Sequence, residues 1–378
     1  MTLRLTGGQV LQDEGLVDAD LLLQDGTIAG LGATTPSART FDATGLLVLP
    51  GIVDLHGDAF ERQIQPRPGV GFPQGLALRD TQAQLLSSGI TTAFLAATLS
   101  WEPGLRSPQA WRALLDARAA QDWTCDIRIH MRWELHNLGS LDMAIADIEA
   151  GDVGLVSFND HTPEIVRKLE TVAGAAKYSE RSMTGIDAFR ALAHAALART
   201  PEVAQATARI AAAARAAGLA MASHDDDVVE RRASFRELGA HICEFPMAEP
   251  VAQDARAAGE AVVMGCPNVV RGGSHLGWTS AAELTERGLC TVLCSDYFYP
   301  AMPAAALRLA QGPVGLVGAW SLVSRNPARA ANLPDRGWIM PGTRADIVLV
   351  DPATSAIAAT IVRGQVVHLG AGAWQRLA

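Results

Sequence analysis

Lysine and aromatic residues are scarce in this chain of 378 residues. Its only lysines are Lys168 and Lys177, so chemistry that depends on lysine is restricted to two positions. Aromatic residues make up 5% of the chain and hydrophobic residues 49%, which favours aliphatic strands covered by alanine-rich helices. The formal net charge is −9, and we find no basic block or basic patch interleaved with aromatics. We therefore expect no binding to nucleic acid.

Paired cysteines and long apolar runs are also missing. Five cysteines are scattered without the spacing of a zinc ribbon or a disulfide framework. No window reaches about 18 uninterrupted apolar residues, and the opening MTLRLTGGQV has neither the charged leader nor the apolar core of a signal peptide. These features predict a cytoplasmic protein that does not bind a membrane.

Both ends of the chain consist of short strand-like runs separated by turns. Asp25-Gly26 marks a hairpin near the start, and Gly364-Gln365 separates two runs near the end. We predict that residues 1–49 and 337–378 together form one small β-sandwich domain.

The central part alternates apolar runs with helical stretches, which is typical of parallel βα units. Eight runs is the number of strands in a (β/α)8 TIM-type barrel, so we predict an α/β fold with this barrel over residues 50–336. Residues 162–218 exceed what one helix needs and are interpreted as an insertion or lid. The eight runs are LVLPGIVDLHGD, ITTAFLAA, DIRIHMRWE, VGLVSFNDH, LAMASHDD, HICEFP, AVVMGCPN and TVLCSDYF.

Side chains that commonly bind metals stand at the carboxyl ends of five of these runs. The carboxyl ends of barrel strands form one rim, so these side chains are expected to meet in one pocket. Nitrogen and oxygen donors without cysteine suit zinc first, with manganese or iron as alternatives. Six ligands are more than one tetrahedral ion requires, so we expect one or two divalent ions. The predicted ligands are His56, Asp58, Glu134 (as a bridge), His161, His224 and Asp296.

Each of these residue types also has a structural interpretation. Asp296 could cap a helix after a strand, although the other ligand-type residues at strand ends favour a catalytic role for it. Glu244, at the end of the sixth run, is either a ligand or a hydrogen-bonding partner of a ligand. Four histidines without a strand-end setting are predicted to be structural and to lie outside the site: His130, His194, His241 and His368.

Residues 268–277, NVVRGGSHLG, form a second group of candidate functional residues. Two glycines let backbone N–H groups approach a ligand, and neighbouring side chains offer donors to phosphate oxygens. Taken alone, a glycine turn beside a solvated arginine would look the same. A small anionic phosphorylated substrate is the expected partner, and the predicted substrate-binding residues are Arg67, Lys177, Arg271, Ser274 and His275.

The strand-end His-x-Asp, the later histidines, the final aspartate and the returning strand TRADIVLVD resemble the amidohydrolase superfamily. More narrowly, the segments ELH, NDHTP, ASHDD, EFP, GCPNVVRGGSH and SDYFYP resemble its diphosphatases that act on α-D-ribose 1-methylphosphonate 5-triphosphate in the carbon–phosphorus lyase pathway. This resemblance spans nearly the whole chain. The segment HGDAFERQI differs from the HTDN motif associated with that group. A related phosphate ester therefore stays open as an alternative substrate.

The resemblance implies hydrolysis of a phosphoanhydride by water activated at the metal centre. Attack on the α-phosphorus would give the 5-phosphate and pyrophosphate, with Asp296 as the general base. One alternative is a deacetylase or deaminase acting on a C–N bond. Another is a non-catalytic scaffold, which the complete ligand set disfavours. The sequence leaves the oligomeric state open, a homo-oligomer being one alternative.

Overall fold

A computed structural model describes residues 2–273 and 280–377, except for the side chains of Lys177 and Arg181. In this part of the chain, no helix has the length and apolar character needed to cross a membrane. The chain opens with short strands: β1 Thr2–Thr6, β2 Gln9–Gln12, β3 Gly15–Asp18, β4 Leu21–Gln24, β5 Thr27–Leu31, β6 Arg39–Asp42 and β7 Leu47–Pro50.

A parallel sheet of eight strands, counted within the described residues, forms the centre of the molecule. Each strand pairs with the next one along the chain. Gly57 on the first strand also bridges to Asp296 after the last, which closes the sheet into the predicted (β/α)8 barrel. Its strands are β8 Ile52–Gly57, β9 Ile90–Leu99, β10 Asp126–Glu134, β11 Leu155–Asn159, β12 Ala220–His224, β13 Ile242–Glu244, β14 Ala261–Gly265 and β15 Val292–Cys294.

The helices surround this barrel and cover its apolar outer face. They are α1 Glu61–Ile64, α2 Gln74–Ser87, α3 Pro108–Ala119, α4 Leu141–Glu149, α5 Thr162–Leu169, α6 Val172–Ser182, α7 Ile186–Ala198, α8 Thr200–Ala216, α9 Val229–Glu237, α10 Glu249–Ala257, α11 Cys266–Arg271, α12 Ala281–Glu286, α13 Ala301–Ala310, α14 Gly315–Ser321 and α15 Arg325–Ala330. Short 3₁₀ turns occur at Gly104–Arg106, Leu138–Ser140 and Ala373–Arg376.

Strand β10 shows why the barrel forms. Side chains alternate between the two faces of a strand, and every second residue of β10 from Ile127 to Trp133 is apolar and packs in the large core shared with the helices. The alternate residues His130, Arg132 and Glu134 are also buried but belong to none of the apolar clusters. Strand β10 therefore contributes an apolar outer face and a polar inner face.

The predicted insertion region contains four helices. Helix α8 packs against α4 and β12, whereas α5, α6 and α7 pack against one another. A separate small core holds these three helices together around Ile165, Leu169, Tyr178, Phe189 and Ala193. The limits of the insertion, and of the two predicted domains, stay predictions.

The two chain ends build the predicted β-sandwich, which the last strands complete: β16 Ile347–Val350, β17 Ile357–Val362 and β18 Gln365–Leu369. One sheet has the order β5-β4-β1-β6 and the other the order β18-β17-β16-β7-β2-β3. Leu3 and Phe41 from the first sheet share a buried cluster with Val48 and Ile361 from the second. Neither sheet could bury its apolar face alone, so the C-terminal strands complete a core that the N-terminal strands begin.

Candidate metal centre

The junction between the first and last barrel strands positions His56 and Asp58. Pairing of β8 with β9 shifts register between Asp54 and Gly57, so β8 does not alternate regularly at its end. Asp54 turns toward the last strand and accepts hydrogen bonds from Ser295 N (3.0 Å) and Ser295 Oγ (2.5 Å). A Cβ at Gly57 would lie 2.7 Å from Asp54 Oδ2 and 2.8 Å from Ser295 Oγ. Only glycine leaves room for this junction.

His56 meets two other buried side chains, Glu244 and His130. His56 Nδ1 lies 3.2 Å from Glu244 Oε1, and the ring centroids of His56 and His130 are 5.2 Å apart. Burial, with the positive charge of Arg132, holds the pKa of His56 well below its ordinary value. Burial lowers the pKa of His130 to about 3. Both imidazoles are therefore neutral near pH 7, the form in which imidazole binds metals.

His130 and Glu244 each have a buried polar atom without a hydrogen-bond partner. The Nδ1 of His130 lies 3.0 Å from the carbonyl oxygen of Leu55, to which it must donate, so its Nε2 carries a lone pair. That Nε2 is 3.8 Å from Glu244 Oε2, and neither atom has a hydrogen-bond partner. The inner face of β10 carries His130 against His56 and Glu244, and the expectation that it lies outside the site stays a prediction.

His224 and His161 form the adjoining part of the centre around Asp225. His224 Nδ1 lies 3.1 Å from Asp225 Oδ2, and His161 Nε2 lies 3.7 Å from the same oxygen. Asp225 has a φ of 58°, a left-handed conformation that turns the chain sharply after β12. Burial alone would raise the pKa of Asp225, but the imidazoles of His224 and His161 beside it hold it well below its ordinary value. The sequence interpretation did not single out Asp225, although it directly follows a predicted ligand.

The carboxylate of Glu134 is hydrogen-bonded to the segment that begins helix α5. Its carboxylate accepts from the backbone N–H groups of His161 (3.2 Å) and Thr162 (3.1 Å) and from Thr162 Oγ1 (2.6 Å). His161 Nδ1 lies 3.3 Å from Glu134 Oε2. Although burial acts to raise the pKa of Glu134, the hydrogen bonds from His161 and Thr162 keep it below its ordinary value. Glu134 thus fixes the position of His161, and its role as a metal bridge stays a prediction.

Asp58 and Asp296 lie at the closure of the barrel. Asp296 has a φ of 55°, and a Cβ at Gly265 would lie 3.1 Å from Asp296 Oδ2. Burial, followed by the negative charge of Asp58, raises the pKa of Asp296 to about 7. Asp58 Oδ2 lies 3.9 Å from Arg132 NH1. The carboxyl group of Asp296 can therefore take up or release a proton near neutral pH.

The side chains at this rim fit a divalent cation. Buried polar atoms without hydrogen-bond partners include His130 Nε2, His161 Nδ1, His224 Nδ1 and Glu244 Oε2. Buried polar atoms are normally satisfied, so this concentration of atoms without hydrogen-bond partners indicates a bound group. In the described part of the chain, three groups have ligand atoms within 4.8 Å of one another: His56, His224 and Glu244; His161, His224 and Asp225; and Glu134, His136 and Asp160. Asp58 and Asp296 belong to none of these groups.

The predicted substrate-binding residues have different settings. Arg271 is exposed at the end of α11, and its NH1 donates to the hydroxyl of Tyr297, the residue after Asp296, over 3.3 Å. Arg67 is exposed in the loop that follows α1. Ser274 and His275 lie outside the described residues, as does the side chain of Lys177.

A closed parallel barrel with imidazoles and carboxylates gathered at its carboxyl rim, beside a β-sandwich built from both chain ends, defines a hydrolase of the amidohydrolase type. The sequence is 34% identical over 351 residues to the α-D-ribose 1-methylphosphonate 5-triphosphate diphosphatase of Escherichia coli (strain K12), covering 90% of this chain and 92% of that one. The chain belongs to the amidohydrolase superfamily, in the family of this diphosphatase. No protein-family model matches the chain.

Solved structures show the same fold at low sequence identity. N-isopropylammelide isopropylaminohydrolase from Burkholderia multivorans is 17% identical, with a TM-score of 0.65 over 98% of each chain. N-acetylglucosamine-6-phosphate deacetylase from Pasteurella multocida is 10% identical, with a TM-score of 0.65 over 98% of this chain and 100% of that one. These similarities confirm the fold, and the choice of substrate has to be argued from the site.

Proposed function

We propose that this chain hydrolyses α-D-ribose 1-methylphosphonate 5-triphosphate to the 5-phosphate and pyrophosphate. The observation that carries this proposal is the 34% identity with the Escherichia coli diphosphatase along nearly the full length of both chains. The rim supports it, because Arg271 stands beside the segment that holds Asp296. Arginine donors suit phosphate oxygens better than they suit a neutral amide.

The residues at the rim would hold one or two divalent ions. His56, His224 and Glu244 form one group, and His161 and Asp225 form a second group that shares His224 with the first. Asp58, Glu134 and Asp296 remain further candidate ligands. A bound ion would lower the pKa of water from 15.7 to about 7 and neutralise charge on the phosphoryl oxygens, with zinc the first choice.

The chain's own residues then have defined tasks. Asp296 accepts a proton from the water that attacks the α-phosphorus, which is the general-base role of a carboxylate at the rim. A new oxygen–phosphorus bond forms, the bond between the α-phosphorus and the bridging oxygen breaks, and pyrophosphate leaves with that oxygen. Arg271 holds the departing phosphates, and Arg67, Ser274, His275 and Lys177 are proposed to assist.

Phosphorus NMR in ¹⁸O-labelled water tests this proposal. The purified protein, loaded with zinc, is given the ribose 5-triphosphate ester, a nucleoside triphosphate and an N-acetylated amine. We expect pyrophosphate release from the ribose ester, with ¹⁸O in the 5-phosphate, because attack at the α-phosphorus places the new oxygen there. Label in pyrophosphate would contradict attack at this atom. Brisk amide hydrolysis with intact triphosphates would instead indicate an enzyme acting on a C–N bond.

A further inference from the structure

Arg132 is a buried arginine in the centre of the site. It lies on the inner face of β10, two residues before Glu134, and its side chain is only 8% exposed. Its Nε donates to Asn159 Oδ1 (3.4 Å) and its NH2 donates to His224 Nε2 (3.1 Å). The guanidinium thus lies among the side chains that form the candidate metal centre.

The contact with His224 determines which nitrogen of that imidazole carries the proton. A guanidinium N–H can only donate, so His224 Nε2 must present its lone pair to Arg132. The proton of the neutral ring is then on Nδ1, which faces Asp225 Oδ2 at 3.1 Å. Imidazole offers a metal this same kind of lone pair. A divalent ion that binds His224 through Nε2 would therefore compete with Arg132 for that lone pair.

Among the described residues, no anion is hydrogen-bonded to the guanidinium of Arg132. Within the described residues, this guanidinium donates two hydrogen bonds. Both acceptors are neutral: an amide oxygen and an imidazole nitrogen. In the described part of the chain, its closest approach to a carboxylate is 3.9 Å, from NH1 to Asp58 Oδ2. Arg128, two residues earlier on the same strand, instead contacts both carboxylate oxygens of Asp126 at 3.1 to 3.3 Å. A buried guanidinium is costly unless an anion pairs with it, so Arg132 is poised to bind one.

We propose that Arg132 binds a phosphoryl oxygen of the substrate at the metal centre, and that it leaves His224 Nε2 when a divalent ion binds there. This inference rests on the proposed function for the metal site and for the anionic substrate. Arg132 then selects for phosphate, because an uncharged amide offers its guanidinium no anion.

The test measures two binding equilibria on the full-length protein. Zinc affinity is measured by chelator competition, and the affinity of zinc-loaded protein for inorganic pyrophosphate by calorimetry, in wild type and in Arg132→Met. We expect the two affinities to change in opposite directions. Zinc binds more tightly by about tenfold because a competitor is gone, and pyrophosphate binds more weakly by about tenfold or more, the effect of one charge-assisted hydrogen bond. Arg128→Met is the matched control and leaves both affinities unchanged.

Other outcomes overturn the inference. Loss of both affinities would show that Arg132 only supports the fold, and unchanged pyrophosphate affinity would show that it binds no phosphate. If Arg132→Met does not fold, Arg132→Lys keeps the charge without the planar fork. Weaker pyrophosphate binding with undiminished zinc binding is then expected, and wild-type pyrophosphate affinity would overturn the inference. Because both readouts are binding equilibria, failure of the wild type to hydrolyse the triphosphate counts against the proposed function alone.

Discussion

Asp58 and Asp296 are joined through their backbones, the N–H of Asp58 donating to the carbonyl oxygen of Asp296 over 2.9 Å. The N–H of Asp296 in turn donates to the carbonyl oxygen of His56 over 2.9 Å. These two bonds bring together residues that are 238 positions apart, by their sequence numbers, at the closure of the barrel. The functional consequence is electrostatic, since the charge of Asp58 adds to burial in raising the pKa of Asp296.

We expect His224→Ala to abolish metal binding and hydrolysis, and His56→Ala to have the same effect. His224 belongs to two of the candidate ligand groups and His56 to one of them. Metal analysis of the purified variants and pyrophosphate release check this expectation. His241→Ala is the control, because His241 is exposed and directly precedes β13, whereas Glu244 ends that strand at the rim. Full metal content in His224→Ala would show that the metal centre does not lie at this rim.

We expect Arg271→Ala to lower kcat/KM for the ribose 5-triphosphate ester by about two orders of magnitude, or roughly 3 kcal/mol of transition-state binding. The physical reason is the loss of a charge-assisted contact to the polyphosphate. Steady-state pyrophosphate release gives the rate, and metal content should stay normal. Arg287→Ala, which removes another exposed arginine paired with Glu249, serves as the control. An unchanged rate in Arg271→Ala would contradict a phosphate-binding role.

Gly57→Ala should destabilise the fold by roughly 1–3 kcal/mol through overpacking. The added methyl would lie 2.7 Å from Asp54 Oδ2 and 2.9 Å from Tyr299 Cε1, in a junction without free space. Urea unfolding of wild type and variant measures the difference. Gly139→Ala is the matched control, since a Cβ there meets nothing within 4 Å. Equal stability of Gly57→Ala and wild type would mean that the junction is looser than described.

Asp126→Asn should make the stability less dependent on pH below pH 4. Burial acts to raise the pKa of Asp126, but the charges of Arg128 and Arg336 lower it to about 2. A folded-state pKa below the ordinary 3.8 stabilises the fold above about pH 4, and this contribution is lost as the pH falls toward 2. The shift corresponds to about 2 kcal/mol.

Urea unfolding between pH 6 and pH 2 tests this expectation for Asp126. The wild type should exceed Asp126→Asn in stability at pH 6, and the difference should shrink between about pH 4 and 2. Asp187→Asn, at an exposed position paired with Arg190, should change stability by less than about 0.5 kcal/mol. A difference between wild type and Asp126→Asn that is constant with pH would show that the ionised carboxylate of Asp126 is not what matters.

Much of the fold could be predicted from the sequence because the patterns involved are local. Alternation along β10 separates Met131 and Trp133 from Arg132 and Glu134 over a few residues, and a period of two is a property of any strand. Runs that alternate with helical stretches predicted the barrel, and turn residues near both ends predicted the β-sandwich. The position of the candidate site at one rim could also be predicted, because the carboxyl ends of the strands of a parallel barrel lie on one side.

The contacts within the site were decided only by the tertiary structure. The register shift of β8 and the left-handed turns at Asp225 and Asp296 determine where His56, Asp225 and Asp296 lie, and no local pattern encodes them. Residue type alone could not show that His130 faces Glu244. The sequence determined which side chains reach the rim, since that depends on strand periodicity. Only the folded chain decided which of them meet, because those distances depend on register, backbone strain and hydrogen bonds between strands far apart in sequence.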